Sequence, residues 1–349
     1  VAATLASRVV GSNRFRVPLM VGSAGLAVVM YLGLGLVVVG AANLVWWLVT
    51  RRTAAPAGAR AAPAPSRNSR RLPVLRSLTV LVLALAVIVT GYGFVRAQEV
   101  TVTRTTLAFD TLPANFDGFT IALLTDLHVG ATTRGSFLPG LVDEVNAAAP
   151  DLVVIAGDLV DGSVADVGAP IAGLTRLAAP FGVVVTTGNH DLLTDPTWIG
   201  YLRSLGLTVL TNDGLRLRRG TQSLTILGIN DRDGSGTAAP DLRLAFKRVG
   251  SPAGCGDAFC IVAAHQPAQA LDDDGLAGRL GVALQLSGHT HGGQLWPYGY
   301  ATRLEQPMLS GVAILGGVTV VTSRGAGTWG PPVRVGSDPE VPLLTLRRA

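Results

Sequence analysis

One pattern recurs along the last two thirds of the chain and limits what the chain can fold into. A short run rich in Val, Ile and Leu ends abruptly in a polar cluster. Such runs occupy residues 119–124, 152–156, 182–186, 224–229, 259–264, 282–286 and 318–322. Apolar runs of this length are typical of strands that are buried on both faces. We therefore expect each run to be an inner strand of a sheet.

Segments with helical periodicity separate several of these strands. They cover residues 136–149, 170–179, 196–205 and 240–249. The first has Ser136 as a candidate N-cap and stops before Pro150, whereas the others begin with Pro, which a first helical turn tolerates. Strands that alternate with helices predict an α/β domain, and such sheets place their functional sites at the carboxyl ends of the strands.

Histidine is scarce, and all five copies fall in the polar clusters. In chain order the clusters contain Asp126 and His128, Asp158 and Asp161, Asn189 and His190, His265, and His289 and His291. A single histidine on an apolar strand is more often structural, but core packing does not account for five of five in polar clusters at strand ends. Imidazoles with hard oxygen ligands suit Mn, Fe or Zn at a hydrolytic centre. Two metals about 4 Å apart can clamp the attacking and leaving oxygens of a phosphate.

The clusters, in this order, resemble the five sequence blocks of the calcineurin-like metallophosphoesterase family. The resemblance runs from about Phe119 to Leu346 and includes the block GHTHGGQ at residues 288–294. Together with residues 322–327 and 339–341, that block is similar to the membrane-anchored bacterial subgroup of the family. The resemblance implies an α/β sandwich of two mixed β-sheets flanked by helices.

The family pattern, carried over position by position, implies a centre that binds two divalent metal ions. One ion would be held by Asp126, His128 and His291, and the other by Asn189, His265 and His289. Asp158 would bridge the two ions, and the resemblance leaves Mn, Fe and Zn open as their identity.

The same resemblance implies how the centre would act on a phosphoester substrate. A hydroxide that bridges the metals would attack phosphorus in line. His190 would lie next to the phosphate and protonate or stabilise the leaving oxygen. Asp161 would orient His190 through a hydrogen bond, or would serve only as a turn residue before Gly162.

Gly162 is a departure from the pattern of the family's protein phosphatases. Those enzymes have Arg at the position that follows the second Asp of the GDxxD block. A phosphate clamp is therefore missing at this place, which disfavours a phosphoprotein substrate. Arg324 or Arg232 could supply a substrate-binding cation instead, and either could equally be a surface residue.

The basic character of the chain belongs to its N-terminal part alone. Residues 1–96 contain 11 Arg and no acidic residue, whereas residues 97–349 contain 17 Lys and Arg against 23 Asp and Glu. A nucleic-acid-binding protein would need a basic folded domain, so we expect no nucleic-acid-binding surface.

Two stretches without charge lie in this basic part, at residues 17–50 and 77–95. About 20 apolar residues cross a bilayer, so the second stretch fits one crossing. The first is too long for one straight span and too short for two, and Trp46 and Trp47 suit the membrane interface. The alternatives are buried core helices and a cleaved signal peptide, for which no short apolar core with a cleavage site stands out.

These features predict four segments. They are an N-terminal segment with the first transmembrane helix (1–50), an Arg/Ala/Pro-rich linker (51–76), a second transmembrane helix (77–96) and the metallophosphoesterase domain (97–349).

Positive loops stay in the cytoplasm, and the linker contains seven Arg and no acid. We therefore expect a multi-pass protein of the cell membrane with an extracytoplasmic catalytic domain, although Arg8, Arg14 and Arg16 oppose this orientation. The chain begins with Val rather than Met, which leaves an upstream segment open.

Two cysteines, Cys255 and Cys260, leave two alternatives of equal weight. Outside the cytoplasm they could close a small disulfide loop. Otherwise they are free thiols, with Cys260 in a buried strand. A zinc site is disfavoured because no second Cys pair completes a ligand set.

The sequence thus favours a membrane-anchored phosphohydrolase that acts on phosphodiesters rather than phosphomonoesters. The anchor suggests a lipid-linked substrate or a nucleotide-diphosphate lipid, by analogy within the family. The competing hypothesis is a non-catalytic metal-binding scaffold, whose mark would be a lost ligand or a lost His190. A transport accessory is disfavoured because the apolar stretches contain no ionisable residue. The oligomeric state stays open.

Overall fold

Two long helices precede a domain of two β-sheets in the computed structural model, which describes residues 16–52 and 68–349. The α-helices are α1 (Arg16–Arg52), α2 (Asn68–Arg96), α3 (Phe137–Ala147), α4 (Val164–Ile171), α5 (Asn189–Thr194), α6 (Trp198–Ser204), α7 (Leu242–Arg248), α8 (Asp272–Arg279) and α9 (Gly299–Thr302). The strands are β1 (Thr101–Phe109), β2 (Thr120–Leu124), β3 (Leu152–Ala156), β4 (Val183–Thr186), β5 (Thr208–Val209), β6 (Asp213–Arg219), β7 (Gln222–Gly228), β8 (Phe259–Ala263), β9 (Leu284–Ser287), β10 (Gly311–Leu315), β11 (Val318–Thr322) and β12 (Glu340–Arg348). Short 3-10 helices lie at Ala114–Phe116, Ala172–Arg176, Gly236–Ala238, Pro267–Leu271 and His291–Gly293.

The strands form two mixed sheets of six strands each. The first sheet has the order β1-β12-β2-β3-β4-β5, and the second has the order β10-β11-β9-β8-β7-β6. In each sheet a parallel centre carries an antiparallel partner: β12 is antiparallel to β2, β6 to β7, and β10 to β11. The predicted α/β sandwich with flanking helices is confirmed.

The inner strands are mostly apolar because both of their faces are covered, one by the other sheet and one by helices. Ile121 and Leu123 of β2 join residues of the second sheet in the core between the sheets. Ala122 and Leu124 of the same strand join α3 residues in the core beneath the helices. Successive side chains of a strand point to opposite faces, so a strand covered on both sides must be apolar at every position.

The seven apolar runs coincide with β2, β3, β4, β7, β8, β9 and β11, as predicted. The other strands were not identified from the sequence. Several of them lie at sheet edges, where one side of the strand is solvated and the apolar run is interrupted; β1 and β10 are examples.

The predicted starts of three helices at Pro170, Pro196 and Pro240 are wrong. α4 begins at Val164 after the N-cap Ser163, and Pro170 lies in its last turn. Proline there removes one intrahelical hydrogen bond, and the chain continues as a 3-10 helix. Pro196 and Pro240 precede α6 and α7, whose N-caps are Thr197 and Asp241.

The two N-terminal helices are each long and apolar enough to cross a bilayer. Their apolar parts are Val17–Val49, with a mean hydropathy of 2.3, and Leu72–Arg96, with a mean hydropathy of 2.5. The first stretch forms one continuous helix. The second helix begins at Asn68, so residues 68–76 are helical rather than part of a flexible linker. Residues 53–67 of that predicted linker, with Arg8 and Arg14, lie outside the described residues.

The carboxyl end of α2 is fixed to the β-domain by close backbone contact. The amide of Arg334 donates to the carbonyl of Gly93 at 2.9 Å. A Cβ at Gly93 would lie 2.6 Å from Val333 Cγ1 and 2.8 Å from the carbonyl oxygen of Arg334, so only glycine allows this approach. The Arg96 guanidinium also pairs with Asp338 at 2.7 Å.

Cys255 and Cys260 are joined in a disulfide, which decides between the two alternatives left by the sequence. Cys260 lies in β8, where it is buried, as predicted. Cys255 lies on the loop before β8 and donates its amide hydrogen to the carbonyl of Leu280 at 2.8 Å.

Candidate metal centre

The polar clusters meet at one end of the sandwich because the parallel strands of both sheets finish there. Asp126 and His128 follow β2, Asp158 follows β3, and Asn189 begins α5 after β4. From the second sheet, His265 follows β8, and His289 and His291 follow β9. All seven metal ligands implied by the sequence therefore lie on loops or at the first residue of a helix, at the same end of the molecule.

Five of these residues have an unusual backbone conformation. The φ angles of Asp126, His128, Asp158, His289 and His291 lie between 44° and 68°. Residues other than glycine seldom adopt this left-handed region, and the strain is typically found where side chains must point into a site. The loops turn sharply at each position and direct the side chains inward.

The first metal position lies between Asp126, His128 and His291. Their ligand atoms all fall within 4.8 Å of one another, and all three residues are buried. The Nε2 atoms of His128 and His291 are 3.0 Å apart, and His291 Nε2 lies 3.6 Å from Asp126 Oδ1.

The second metal position lies between Asp158, His265 and His289, again with ligand atoms within 4.8 Å. His265 Nε2 is 3.1 Å from Asp158 Oδ2, and His289 Nδ1 is 3.1 Å from Asn189 Oδ1. The same Asp158 oxygen lies 3.6 Å from His128 Nε2 of the first position. One carboxylate therefore reaches both positions, as a bridging ligand must.

His265 shows that the donor set suits a metal cation. Its Nδ1 lies 2.8 Å from the carbonyl oxygen of Ala156, which can only accept, so Nδ1 carries the hydrogen. Nε2 is fully buried and faces the carboxylate of Asp158 at 3.1 Å. A proton or a metal cation must lie between these two atoms, and a metal that binds there would displace the proton.

The pKa values of two histidines also indicate that the centre attracts positive charge. Burial lowers the pKa of His265, but Asp158 and Asp126 outweigh burial and hold it well above its ordinary value. Burial likewise lowers the pKa of His128, and Asp161 and Asp158 raise it to about 9. The carboxylates thus draw positive charge into the centre.

His289 and His291 are neutral at physiological pH. Burial, and then the neighbouring His265, lower the pKa of His289 to about 3. Burial, His128 and Arg334 lower the pKa of His291 well below its ordinary value. Neutral imidazoles offer the lone pair that a divalent cation takes.

Asp161 links one metal-ligand histidine to the predicted catalytic histidine. Its Oδ1 accepts from His190 Nδ1 at 2.7 Å and from His128 Nδ1 at 3.0 Å. Burial raises the pKa of Asp161, but the two imidazoles, His128 first, bring it well below its usual range. With Nδ1 of His190 engaged, its Nε2 is the nitrogen that remains for a substrate. The expected Asp161–His190 hydrogen bond is present.

Arg324 and Arg232, the predicted substrate-binding cations, each pair with an acid. Arg324 donates to Glu340 at 2.7 Å, and Arg232 lies 3.3 Å from Asp272. A substrate-binding role for Arg324 remains a prediction.

Arg334 is a residue of the centre that the sequence did not reveal. It is fully buried behind His291, and its guanidinium donates to the carbonyls of His291, Gly325, Gly327, Arg324 and Ser337. Burial lowers its pKa to about 10, so it stays charged at neutral pH. A lone Arg in an apolar loop carries no sequence signal for such a position.

Asp191 is a second residue of the centre that the sequence did not reveal, although it directly follows His190. Its carboxylate accepts from the amides of Gly188 at 2.8 Å, Leu159 at 2.9 Å and Val160 at 3.2 Å. It therefore ties the loop of Asp158 to the loop of Asn189. Burial, with the repulsion of Asp158, raises the pKa of Asp191 to about 7.

A cavity of about 490 Å³ opens onto the centre. His128, Asp158, Asn189, His190, His289 and His291 line its inner end. Its outer walls include Leu295, Tyr298, Trp329 and Pro331. In the part of the chain that the structure describes, no Lys or Arg lines this cavity.

Comparisons with known proteins agree with this geometry. The family model of the calcineurin-like phosphoesterases matches residues 119–293. A transmembrane protein with metallophosphoesterase domain from Danio rerio is 32% identical over 279 residues, which cover 78% of this chain and 63% of that protein. The chain thus spans less than two thirds of the length of that relative. The uncharacterized metallophosphoesterase YkuE of Bacillus subtilis is 29% identical over 74% of this chain and 90% of its own length.

Among solved structures, the sulfate thiohydrolase SoxB of Thermus thermophilus is similar, with a TM-score of 0.39 and 15% identity, over 68% of this chain and 57% of that one.

Proposed function

Because the chain belongs to the calcineurin-like phosphoesterase family, we propose that it is a membrane-anchored, metal-dependent phosphodiesterase whose active site lies outside the cytoplasm. The observation that carries the proposal is the position of Asp158 between two sets of closely spaced ligands. The competing scaffold hypothesis expects a lost ligand or a lost His190. The proximity of all seven predicted ligands and of His190 favours the enzyme.

The chain's own residues suit hydrolysis of a phosphoester. Two bound divalent ions would supply a nucleophile at neutral pH and neutralise charge on the phosphoryl oxygens. Asp126, His128 and His291 would hold one ion, with Asn189, His265 and His289 on the other and Asp158 between them. His190, oriented by Asp161, would give a proton to the leaving oxygen.

The charge of the cavity favours a diester over a monoester. A monoester at neutral pH carries close to two negative charges, whereas a diester carries one. Gly162 occupies the place of a phosphate-binding Arg, and both candidate replacements, Arg324 and Arg232, are paired with acids. Outside the metal centre, the lining contributes Glu305 and, among the described residues, neither Lys nor Arg. A monoanionic diester therefore fits this cavity better than a dianion.

The N-terminal helices and the two cysteines support two parts of the proposal: that the chain is anchored in a membrane, and that its domain lies outside the cytoplasm. Both helices have the length and hydropathy of membrane spans. The predicted linker, residues 51–76, contains seven Arg, which favours a cytoplasmic position for it and the opposite side of the membrane for the domain. A disulfide at Cys255 and Cys260 suits an oxidising compartment. A substrate that resides in the bilayer, such as a lipid-linked phosphodiester, agrees with this placement.

The proposal is tested on the full chain in detergent micelles. The protein is stripped with a chelator, reloaded with Mn, Fe or Zn, and assayed with bis-p-nitrophenyl phosphate and p-nitrophenyl phosphate. We expect metal-dependent release of p-nitrophenol, with kcat/KM for the diester at least about tenfold above that for the monoester, a difference of about 1.4 kcal/mol in the barrier. Absence of turnover of both compounds by folded, metal-loaded protein would overturn the enzyme hypothesis.

A further inference from the structure

α1 is longer than a bilayer is thick. Its apolar part, Val17–Val49, has 33 residues, which at 1.5 Å per residue extend about 50 Å. The hydrocarbon core of a bilayer measures about 30 Å. A substantial part of the apolar helix therefore lies beyond the hydrocarbon core.

Contacts with the β-domain identify which part that is. Ala27 of α1 is fully buried in a cluster with Leu295 and Val333, and Ala24 and Met30 pack against the same cluster. Phe94, near the end of α2, also packs there. Residues 31–49 remain, and these 19 residues extend about 28 Å, close to the thickness of the hydrocarbon core. The segment up to Met30 is thus part of the catalytic domain's wall.

This wall reaches the metal centre through the cavity. Leu26 and Met30 line one side of the same 490 Å³ cavity whose inner end is formed by His128, Asp158 and His190. Leu295, Tyr298 and Trp329 lie among the remaining lining residues. The cavity therefore joins the polar residues of the metal centre to an apolar wall on α1.

The loop beside this wall has the composition of a membrane interface. Trp296, Tyr298, Tyr300 and Leu304 are exposed, Leu304 at 86% and Tyr300 at 71%. Trp and Tyr favour the headgroup region of a bilayer. The loop follows Leu295, which packs on Ala27, so it lies close to the level at which α1 leaves the hydrocarbon core.

We propose that Leu26 and Met30 form a binding site for the alkyl chain of a phosphodiester that comes from the outer leaflet of the bilayer. The chain would lie along α1 while the phosphate reaches the metal centre. An alkyl chain needs no polar partner, and the described lining at this end offers apolar surface. This inference rests on the proposed function and names the class of its substrate.

The experiment varies the alkyl chain and keeps the scissile bond. Ethyl, butyl, hexyl and octyl p-nitrophenyl phosphates are assayed with the full-length, metal-loaded protein in detergent, and p-nitrophenol release gives kcat/KM. Each methylene that leaves water contributes up to about four-fold. We expect kcat/KM for the octyl ester to exceed that for the ethyl ester at least about tenfold, because several methylenes become partly buried.

Matched variants test whether Leu26 and Met30 cause the dependence of kcat/KM on the length of the alkyl chain. Leu26→Gln and Met30→Gln introduce polarity into the cavity, and Val29→Gln introduces the same polarity at a site that is 65% exposed and does not line the cavity. The readout is the octyl-to-ethyl ratio of kcat/KM, which cancels any general effect on the metal centre. Partition of the octyl ester into detergent is the same for all variants.

We expect the ratio to fall to within about threefold of unity in the Leu26→Gln/Met30→Gln protein, and to remain at the wild-type value in Val29→Gln. A wild-type ratio near unity would overturn the inference while the ethyl ester is still hydrolysed. The inference would also be overturned if the octyl-to-ethyl ratio fell equally in Val29→Gln, or if it did not fall in the Leu26→Gln/Met30→Gln protein. Lack of metal-dependent turnover of the ethyl ester would overturn the proposed function itself.

Discussion

The Nε2 atoms of His128 and His291 face each other across 3.0 Å. Asp161 accepts the Nδ1 hydrogen of His128, and the pKa of about 9 keeps a second hydrogen on Nε2, which a bound metal would displace to gain the Nε2 lone pair. The pKa of His291 is held well below its ordinary value by burial and by His128 and Arg334, so His291 is neutral. Two imidazoles in this arrangement suit a shared cation, and Asp126 completes the set.

Removal of the bridging carboxylate should empty both metal positions. In Asp158→Ala we expect fewer metal ions per chain and a loss of kcat of at least about 10³-fold, because metal activation supplies several kcal/mol. Metal analysis and the diester assay check this. Asp143→Ala, which removes an exposed acid paired with Arg176, should change neither. Near-normal activity of Asp158→Ala would refute the bridging assignment.

His190→Ala should lose turnover and keep its metal. We expect kcat to fall about 10²- to 10⁴-fold, the usual contribution of a general acid. The loss should be greater for a diester with an alkyl leaving group than for one with p-nitrophenol, since a poor leaving group needs the proton more. Equal losses for both substrates would rule out a general acid, and loss of both metals would refute a purely catalytic role.

Arg334→Met should destabilise the domain strongly. The change leaves the carbonyls of His291, Gly325 and Gly327 without their donor in the interior, which costs about 3 kcal/mol. For a domain of this size, we expect Tm in detergent to fall by roughly 6–12 °C. Arg347→Met, at an arginine that is half exposed and near Asp117, is the control and should shift Tm by less than about 2 °C. If the Tm of Arg334→Met also fell by less than about 2 °C, the buried guanidinium would contribute nothing measurable to the stability of the domain.

Gly93→Ala should weaken the attachment of α2 to the β-domain, whereas Gly91→Ala should not. A Cβ at Gly93 meets Val333 and the backbone of Arg334 at less than 3.0 Å, and a Cβ at Gly91 meets nothing within 4 Å. Alanine in a helix is otherwise favourable by about 0.5–1 kcal/mol, so Gly91→Ala should hold or raise Tm. Thermal unfolding of both variants measures the difference. Equal Tm values would contradict the close contact.

The disulfide provides a test of the side of the membrane. Intact cells are quenched in acid, denatured, and treated with a thiol-alkylating reagent before and after reduction. If the domain lies in an oxidising compartment, Cys255 and Cys260 should be alkylated only after reduction, as mass spectrometry of the peptides would reveal. Alkylation of both cysteines without reduction would argue for a cytoplasmic domain.

Local sequence patterns determined much of the fold and of the centre. Apolar runs such as residues 152–156 specify inner strands because a strand covered on both faces must be apolar at each position. Asp126 and Asp158 could be predicted as neighbours because the parallel strands β2 and β3 end at one edge of a sheet, whereas His265 reaches them from the second sheet. Edge strands such as β1 and β10 lack that continuous run and were not recognisable.

Only the tertiary structure decided the contacts between distant segments. Arg334 and His291 meet across 43 residues, and Leu26 of α1 comes to share a cavity with His190. Nothing in the periodicity near either partner encodes such a meeting, because it depends on how helices, loops and both sheets pack together. The sequence by itself therefore determined the strands, the ligand types and the two apolar helices. Packing alone decided what lies behind the ligands and which helix forms the outer wall of the cavity.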